Sequence, residues 1–372
     1  MRIVLFCHSI LSDWNHGNAH FLRGIVTELQ SRQHDVRIFE PRDSWSAANL
    51  VADAGPDALG VVTAYYPRLH SHRYDPAALD LDEALDGADV VLVHEWNEPA
   101  IVEQIGRRKA AGARFQLLFH DTHHRSVTDP VAMAAYDLDA YDGVLAFGEV
   151  IRERYVERGW AKRAWTWHEA ADPRVFRPIP DAVRGSAGDL VWIGNWGDDE
   201  RSGEIREYLI DPVRELELRA RVYGVRYPDD AKRELADAGI EYCGWIPNYG
   251  VPGVFAQFGV TVHIPRRPYV EALPGVPTIR VFEALACGIP LVSCWWDDAE
   301  SLFRETDYLR VRTPAAMRAA LREVLNDPSL ARALADSGRQ TILARHTCAH
   351  RVDELFAIVG ALKGAPGEAL TI

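Results

Sequence analysis

The stretch Leu273–Pro290, LPGVPTIRVFEALACGIP, concentrates more chemistry than any other part of this 372-residue chain. Gly275, Pro277 and Thr278 form a tight turn, and Thr278 is suited to cap a helix or sit in its first turn. That helix is expected to run to about Cys287, with Gly288 just past its end and Pro290 blocking extension. Free amides and the dipole at a helix start suit a diphosphate, and Arg280 in the first turn is placed to neutralise phosphate oxygens. Glu283 interrupts an apolar run. If buried, its carboxylate needs a partner, and a ribose diol supplies two donors. The plainer alternative is an Arg280–Glu283 pair on a surface helix, which would be worth little.

Four further polar clusters come after apolar runs of strand length. Cys7–Ala19, CHSILSDWNHGNA, carries one glycine, Gly17, next to Asn18 where a helix begins. It lacks G-x-G-x-x-G, so a dinucleotide is not indicated, although a phosphate or sugar can approach the backbone there. VHEWNE, Val93–Glu98, presents Glu95, and FHDTHHR, Phe119–Arg125, presents His120, Asp121, His123 and His124. A zinc site is poorly matched, because adjacent histidines rarely ligate one ion together. His120 reads instead as a hydrogen-bonding or acid/base group, or as a satisfied structural histidine. GNWGDDERS, Gly194–Ser202, offers Arg201 to an anion, or else is a solvated acidic loop. Trp192, Trp196 and Trp245 fit base or sugar stacking, and equally a core. There is no G-x-S-x-G, P-loop, H-E-x-x-H or zinc-ribbon spacing, and Asp137/Asp139 is a weak D-x-D.

The elements that must position these residues alternate between strand and helix, the signature of parallel α/β sheets. Strands are expected at Arg2–His8, Val36–Glu40, Val90–His94, Phe115–His120 and Val144–Phe147. A second set is expected at Leu190–Ile193, Ala220–Tyr223, Glu241–Cys243, Val260–Ile264 and Leu291–Cys294. Phe21, Leu22, Ile25, Val26 and Leu29 share one face of a helix from about Asn18 to Arg32. DPRVFRPIPDAVRGSAGD, Asp172–Asp189, has linker composition. The expected division is therefore residues 1–171, a linker at 172–189, a second domain at 190–345, and a final helix at 346–372 returning to the first. Ligands of open parallel sheets bind beyond the carboxyl ends of the strands, so two such sheets should face each other across a cleft.

Length favours two cores over one. With 41 Lys+Arg against 54 Asp+Glu the net charge is −13, which disfavours non-specific binding to nucleic acid or anionic membrane. Five scattered cysteines without C-x-x-C read as free thiols in a reducing compartment. The opening MRIVLFCHSILSDW reads as a strand rather than a signal peptide, and no run reaches the roughly 20 apolar residues of a membrane span. A cytoplasmic location is the expectation.

PTIRVFEALACGIPLV is similar to the donor-nucleotide motif of bacterial GT-B glycosyltransferases of the family 4-like group, which includes spore-maturation-type proteins. HGNAHFLRGIVTELQSRQHDVRIF resembles their opening loop, helix and second strand, WHEAADPRVFRP their linker entry, and RHTCAHRVDEL their late crossing helix. The resemblance implies a GT-B fold of two Rossmann-like domains and a hexosyltransferase-type activity using a nucleotide diphosphate sugar. It places Glu283 on the donor ribose, and Thr278 and Arg280 at the diphosphate. Gly17, with Asn18 beside it, lies near the donor phosphates, Arg201 offsets diphosphate charge, and Gly244, Trp245 and Ile246 receive the base. His120 matches the histidine that reaches the donor sugar. Two positions depart from the pattern: Gly275 replaces a glutamate common eight residues before Glu283, and Gly194–Asn195 replaces a glycine-arginine pair.

The reading is a retaining, metal-independent transfer to an unidentified glycan, small-molecule or protein acceptor, with no cofactor beyond the nucleotide sugar and no nucleic-acid partner. If the outcome were inverting, Asp121 or Glu95 would be the base. The alternatives are a nucleotide-sugar epimerase on the same fold, or a non-catalytic nucleotide- or sugar-binding paralogue.

Overall fold

The computed structural model describes residues 1–364, and the last part of the expected 346–372 segment lies outside them. The chain divides into two compact units, one of Met1–Glu169 with the chain from Cys348 on, the other Ala170–Thr347.

The first unit is built on seven parallel strands: β1 (Arg2–Phe6), β2 (Asp35–Pro41), β3 (His72–Tyr74), β4 (Val90–His94), β5 (Gln116–Asp121), β6 (Gly143–Ala146) and β7 (Ala164–Thr166). Their order across the sheet is β3-β2-β1-β4-β5-β6-β7. The central strands are apolar on both faces because helices cover both sides. Ile3 pairs in register with Val36 on one side and Val90 on the other, and Ile3, Val90 and the next residue, Val91, are fully buried. Helix Ala19–Ser31 buries Phe21, Leu22, Ile25, Val26 and Leu29. Its outer end is gripped by the last helix, Cys348–Gly364: Arg32 pairs with Asp353 and donates to Ala349 O at 3.2 Å. Trp167 Nε1 donates to Arg351 O at 2.8 Å, and Arg351 Nε donates to His168 O at 2.8 Å, so the returning helix is also tied to the segment after β7.

The second unit has six parallel strands: β8 (Gly188–Ile193), β9 (Ala220–Tyr223), β10 (Ile240–Tyr242), β11 (Phe258–His263), β12 (Leu291–Cys294) and β13 (Leu309–Val311). Their order is β10-β9-β8-β11-β12-β13. Val191, Val260, Val262 and Val292 are fully buried at its centre. Residues 172–187 contain neither helix nor strand, yet Phe176 within them is fully buried. The strands β3, β7 and β13, three residues each, were not expected from the sequence, since so short a run carries no periodicity.

In each sheet the chain order reverses once, between β1 and β4 and between β8 and β11. At such a point the flanking loops part at the carboxyl ends of the strands and leave a crevice for ligands. The ends of β1, β4 and β5 with the loops after them, and the loops after β8 and β11, carry most of the candidate residues, while Gly244–Ile246 follow β10. Among the described residues no helix is long and apolar enough to cross a membrane.

Candidate functional site

In the second unit, helix Ile279–Cys287 buries almost every side chain and stops at Gly288, whose φ of 65° is the left-handed conformation that ends helices. Thr278 stands at the N-cap in extended conformation, but its side chain does not cap the helix. Its hydroxyl instead lies 3.0 Å from His263 Nε2, while His263 Nδ1 lies 2.8 Å from Ser293 Oγ. Burial, reinforced by the charges of Arg201 and Arg280, lowers the His263 pKa to about 3, so it is a neutral strut between β11, β12 and the helix start. The helix's first amides are left without that side-chain cap, as an anion site requires.

Glu283 is fully buried and accepts a hydrogen bond from Arg280 Nη1. The pair therefore exists, but not on a surface helix. Arg201 is held differently. Its Nη1 donates to Ile264 O at 3.0 Å and its Nη2 to Asn195 O at 2.7 Å, joining the loops after β8 and β11. Its guanidinium carbon lies 5.2 Å from the Trp192 ring centroid. Gly197, at φ 85°, gives room to its stem: a β-carbon there would come within 2.6 Å of Arg201 Cγ. Among the described residues Arg201 makes no ion pair with a carboxylate, and burial followed by the charge of Arg266 lowers its pKa to about 9. A desolvated cation bonded only to carbonyls is a ready counter-charge for an incoming anion.

The loops after β8, β9 and β10 meet through glycine backbones. A β-carbon at Gly224 would lie 2.0 Å from Gly194 O, and Gly224 N donates to Gly244 O at 2.8 Å. This brings Gly244–Ile246 beside the Gly194–Asn195 turn. Trp245 is half-buried with no partner for its indole N–H, whereas Trp192 and Trp196 are buried in the core. Neither Gly224 nor Glu300 was legible in the sequence. Glu300 lies against Gly275, whose φ is 81°, and a β-carbon on Gly275 would come within 2.5 Å of Glu300 Oε1. The chain thus has a carboxylate beside position 275 even though residue 275 is glycine.

In the first unit, Thr122 gathers the expected residues. Asn18 Nδ2 donates to Thr122 O at 3.4 Å, His94 Nε2 lies 3.0 Å from Thr122 Oγ1, and Glu95 Oε1 accepts from Thr122 N at 2.8 Å. Gly17 precedes Asn18 in the same loop, with an ordinary negative φ. Asp121 accepts from the Tyr155 hydroxyl at 2.9 Å and from His123 N at 3.0 Å. Glu95 and Asp121 are both fully buried. Burial raises both carboxyls above their ordinary range, and Asp121 adds to the rise at Glu95. His120 is 1% exposed among Phe21, His94 and Trp167, with its Nε2 unpartnered, and burial lowers its pKa to about 3. Among the described residues no group of three His, Cys, Asp or Glu side chains is arranged to hold a metal ion.

Residues 201–357 match a family model described as "Glycosyl transferase-like". A stretch of 72 residues, 19% of the chain, is 33% identical to the glutamate–tRNA ligase of Ignicoccus hospitalis, and it spans only 13% of that protein. Solved structures match far more of the chain. Sucrose-phosphate synthase from Thermosynechococcus elongatus superposes with a TM-score of 0.64 at 15% identity, covering 97% of this chain and 99% of that one. Anabaena HepE in complex with UDP-glucose gives 0.68 at 12% identity, with 97% and 99% covered. An alpha-glucosyltransferase in complex with UDP and DNA gives 0.69 at 13% identity, again with 97% and 99% covered. The two Rossmann-like units of this chain are those of the GT-B fold.

Proposed function

We propose that this GT-B protein is a glycosyltransferase that moves a sugar from a nucleotide diphosphate sugar to an acceptor hydroxyl. Arg201 carries the proposal: a guanidinium fixed at the carboxyl edge of the second sheet, beside a helix start without a side-chain cap, and without a carboxylate of its own. Neighbours solved with UDP or UDP-glucose support a nucleotide-sugar donor.

In this reading Arg201, Arg280 and the first amides of helix Ile279–Cys287 stabilise the departing diphosphate by fixed charge and dipoles, which favours a metal-independent reaction. Glu283 accepts from the ribose hydroxyls, and the Gly244–Ile246 loop borders the base, with Trp245 offering its unpartnered N–H. Gly275 leaves space for the Glu300 carboxylate, which would accept from donor-sugar hydroxyls in place of a glutamate at 275. Glu95 and Asp121 are already engaged by Thr122, Tyr155 and His123, so neither is poised as an acceptor base. That supports a retaining course in which the departing phosphate oxygen takes the acceptor proton. His120 is then a positioning group rather than an acid or base, since its burial keeps it from free proton exchange.

The test is thermal stabilisation by UDP, GDP, TDP, ADP and CDP. A nucleotide at about 100 times its Kd adds roughly 2.7 kcal/mol. One member of the panel should stabilise the protein, and Arg201→Ala should lose that shift while keeping the unliganded melting temperature within a few degrees. No shift with any nucleotide, or an equal shift in R201A, overturns the reading. With the nucleotide known, the anomeric configuration of the product decides retention.

A further inference from the structure

The carbonyls that hold Arg201 at the carboxyl edge of the second sheet are themselves held. Tyr227, buried in the loop after β9, donates its hydroxyl to Gly194 O at 2.9 Å. The next carbonyl of that turn, Asn195 O, accepts from Arg201 Nη2 at 2.7 Å. Tyr227 and Arg201 therefore grip consecutive carbonyls of one turn. The Trp192 ring meets both side chains. Its centroid lies 6.5 Å from that of Tyr227, edge to face at 73°, and 5.2 Å from the Arg201 guanidinium carbon.

The brace extends along the sheet edge. Tyr242, the last residue of β10, donates its hydroxyl to Gly224 O at 2.9 Å, and its ring centroid lies 4.8 Å from that of Tyr227. Hydroxyl bonds thus pass from β10 to the loop after β9, and from there to the loop after β8. Arg201 carries the tie on to Ile264 O, after β11, at 3.0 Å. That sequence of ties follows the strand order β10-β9-β8-β11. The direction of Tyr227 is set by its chain neighbours. Arg226 before it has a φ of 60°, a left-handed conformation that disfavours a β-carbon, and Pro228 after it stands at the N-cap of helix Asp229–Asp237. Such conformations persist only where the surroundings over-determine them, and they cluster where a group must be held in place. Burial keeps the Tyr227 phenol well above its ordinary pKa, so its hydroxyl stays a donor.

We infer that Tyr227 is a positioning residue that fixes the Arg201 guanidinium at the anion site of the second unit. It acts through the Gly194–Asn195 turn and the Trp192 ring rather than by contact with the ligand. A cation already in place needs no reorientation when the anion arrives, which is what makes a fixed charge effective. The inference rests on the nucleotide-sugar reading for the identity of the anion, but the placing of Arg201 by Tyr227 is measured apart from it.

The first measurement needs no ligand. In full-length protein carrying isotope-labelled arginine, the Arg201 Nε–H NMR signal is assigned by its loss in Arg201→Lys; burial of that atom protects it from exchange. In Tyr227→Phe the signal should shift or broaden while the melting temperature stays within a few degrees of wild type. The second measurement is a cycle of Tyr227→Phe against Arg201→Lys, which keeps a charge but loses the fork that reaches two carbonyls. Inorganic pyrophosphate and the five nucleoside diphosphates are the probes. Tyr227→Phe should weaken binding roughly three- to tenfold, the worth of one hydrogen bond, and should weaken it no further in the Arg201→Lys background. An unmoved Arg201 signal in Y227F overturns the inference, as does unchanged affinity where wild type binds a probe. An equal loss of affinity in both backgrounds also overturns it, since Tyr227 would then act without Arg201. A moved signal in a protein that binds neither pyrophosphate nor any nucleotide would leave the brace standing and remove the donor reading instead.

Discussion

At the scale of single residues, the informative contrast is between two arginines of the second unit. Arg280 is bound to a fully buried Glu283, so removing it takes one charged partner from a buried carboxylate. Arg280→Ala should cost about 1–3 kcal/mol, the usual penalty for taking one hydrogen-bond partner from a buried polar group. Arg280→Ala with Glu283→Gln should recover a large part of that, as read from urea midpoints. If the single variant is as stable as wild type, Glu283 is satisfied by other partners and the pair is not structural. Arg201 has no carboxylate to strand, only the Ile264 and Asn195 carbonyls it donates to, so its removal should cost less stability than Arg280→Ala and fall mainly on ligand binding. Gly275 makes a different prediction. Its φ of 81° disfavours any β-carbon, and that carbon would also meet Glu300. Gly275→Ala should lose about 1–2 kcal/mol through backbone strain. The loss should remain in Gly275→Ala with Glu300→Ala; full recovery in the double variant would show that the collision, not the backbone, sets the cost.

At the scale of elements, helix Ile279–Cys287 was legible because everything that specifies it is local. A turn glycine, an apolar run with one acid, Gly288 at the left-handed end and Pro290 beyond it all lie within one short stretch. The direction of the Thr278 hydroxyl was not legible, because its partner His263 is on β11 and His263 is in turn tied to Ser293 on β12. The same limit applies to Thr122, which links Asn18, His94 and Glu95, and to Gly224, which only the β9–β8 pairing brings to Gly194. Sequence spacing tells which residues come after each strand, but strand order decides which loops touch. The relay gives a prediction of its own. Ser293→Ala leaves His263 Nδ1 unpaired in a buried site, a cost of about 1–3 kcal/mol. A freed His263 also releases Thr278, so nucleotide affinity should fall while Ser293→Thr retains both properties. Unchanged stability and unchanged nucleotide shifts in S293A would show that the strut does not hold the helix start.

At the scale of the whole molecule, the acidic surface hides a second electrostatic feature, a set of histidines buried in the neutral form. His8, His16, His94 and His120 form a contiguous run of rings in the first unit, at centroid separations of 5.8, 6.0 and 5.2 Å. Burial is the first cause at each, lowering His8 to about 4, His16 and His120 to about 3, and His94 well below its ordinary value; His263 in the second unit is lowered to about 3. An unfolded histidine titrates near 6.5. Above that pH both states are neutral and these groups contribute no pH dependence. As pH falls below it, the unfolded chain takes up protons that the folded chain refuses, so stability drops until the folded values near 3 to 4 are reached. Each group adds up to about 1.4 kcal/mol per pH unit to that slope. The raised carboxyls of Glu95 and Asp121 act in the opposite sense, since the folded state holds their protons more tightly, but they are outnumbered by the histidines. Urea unfolding at pH 7.5, 6.5, 5.5 and 5.0 should therefore show stability level at first and then falling steeply, with a shallower fall in His16→Gln. A flat profile down to pH 5, or one unaltered in H16Q, would mean that the interior admits enough water to let these rings protonate in place.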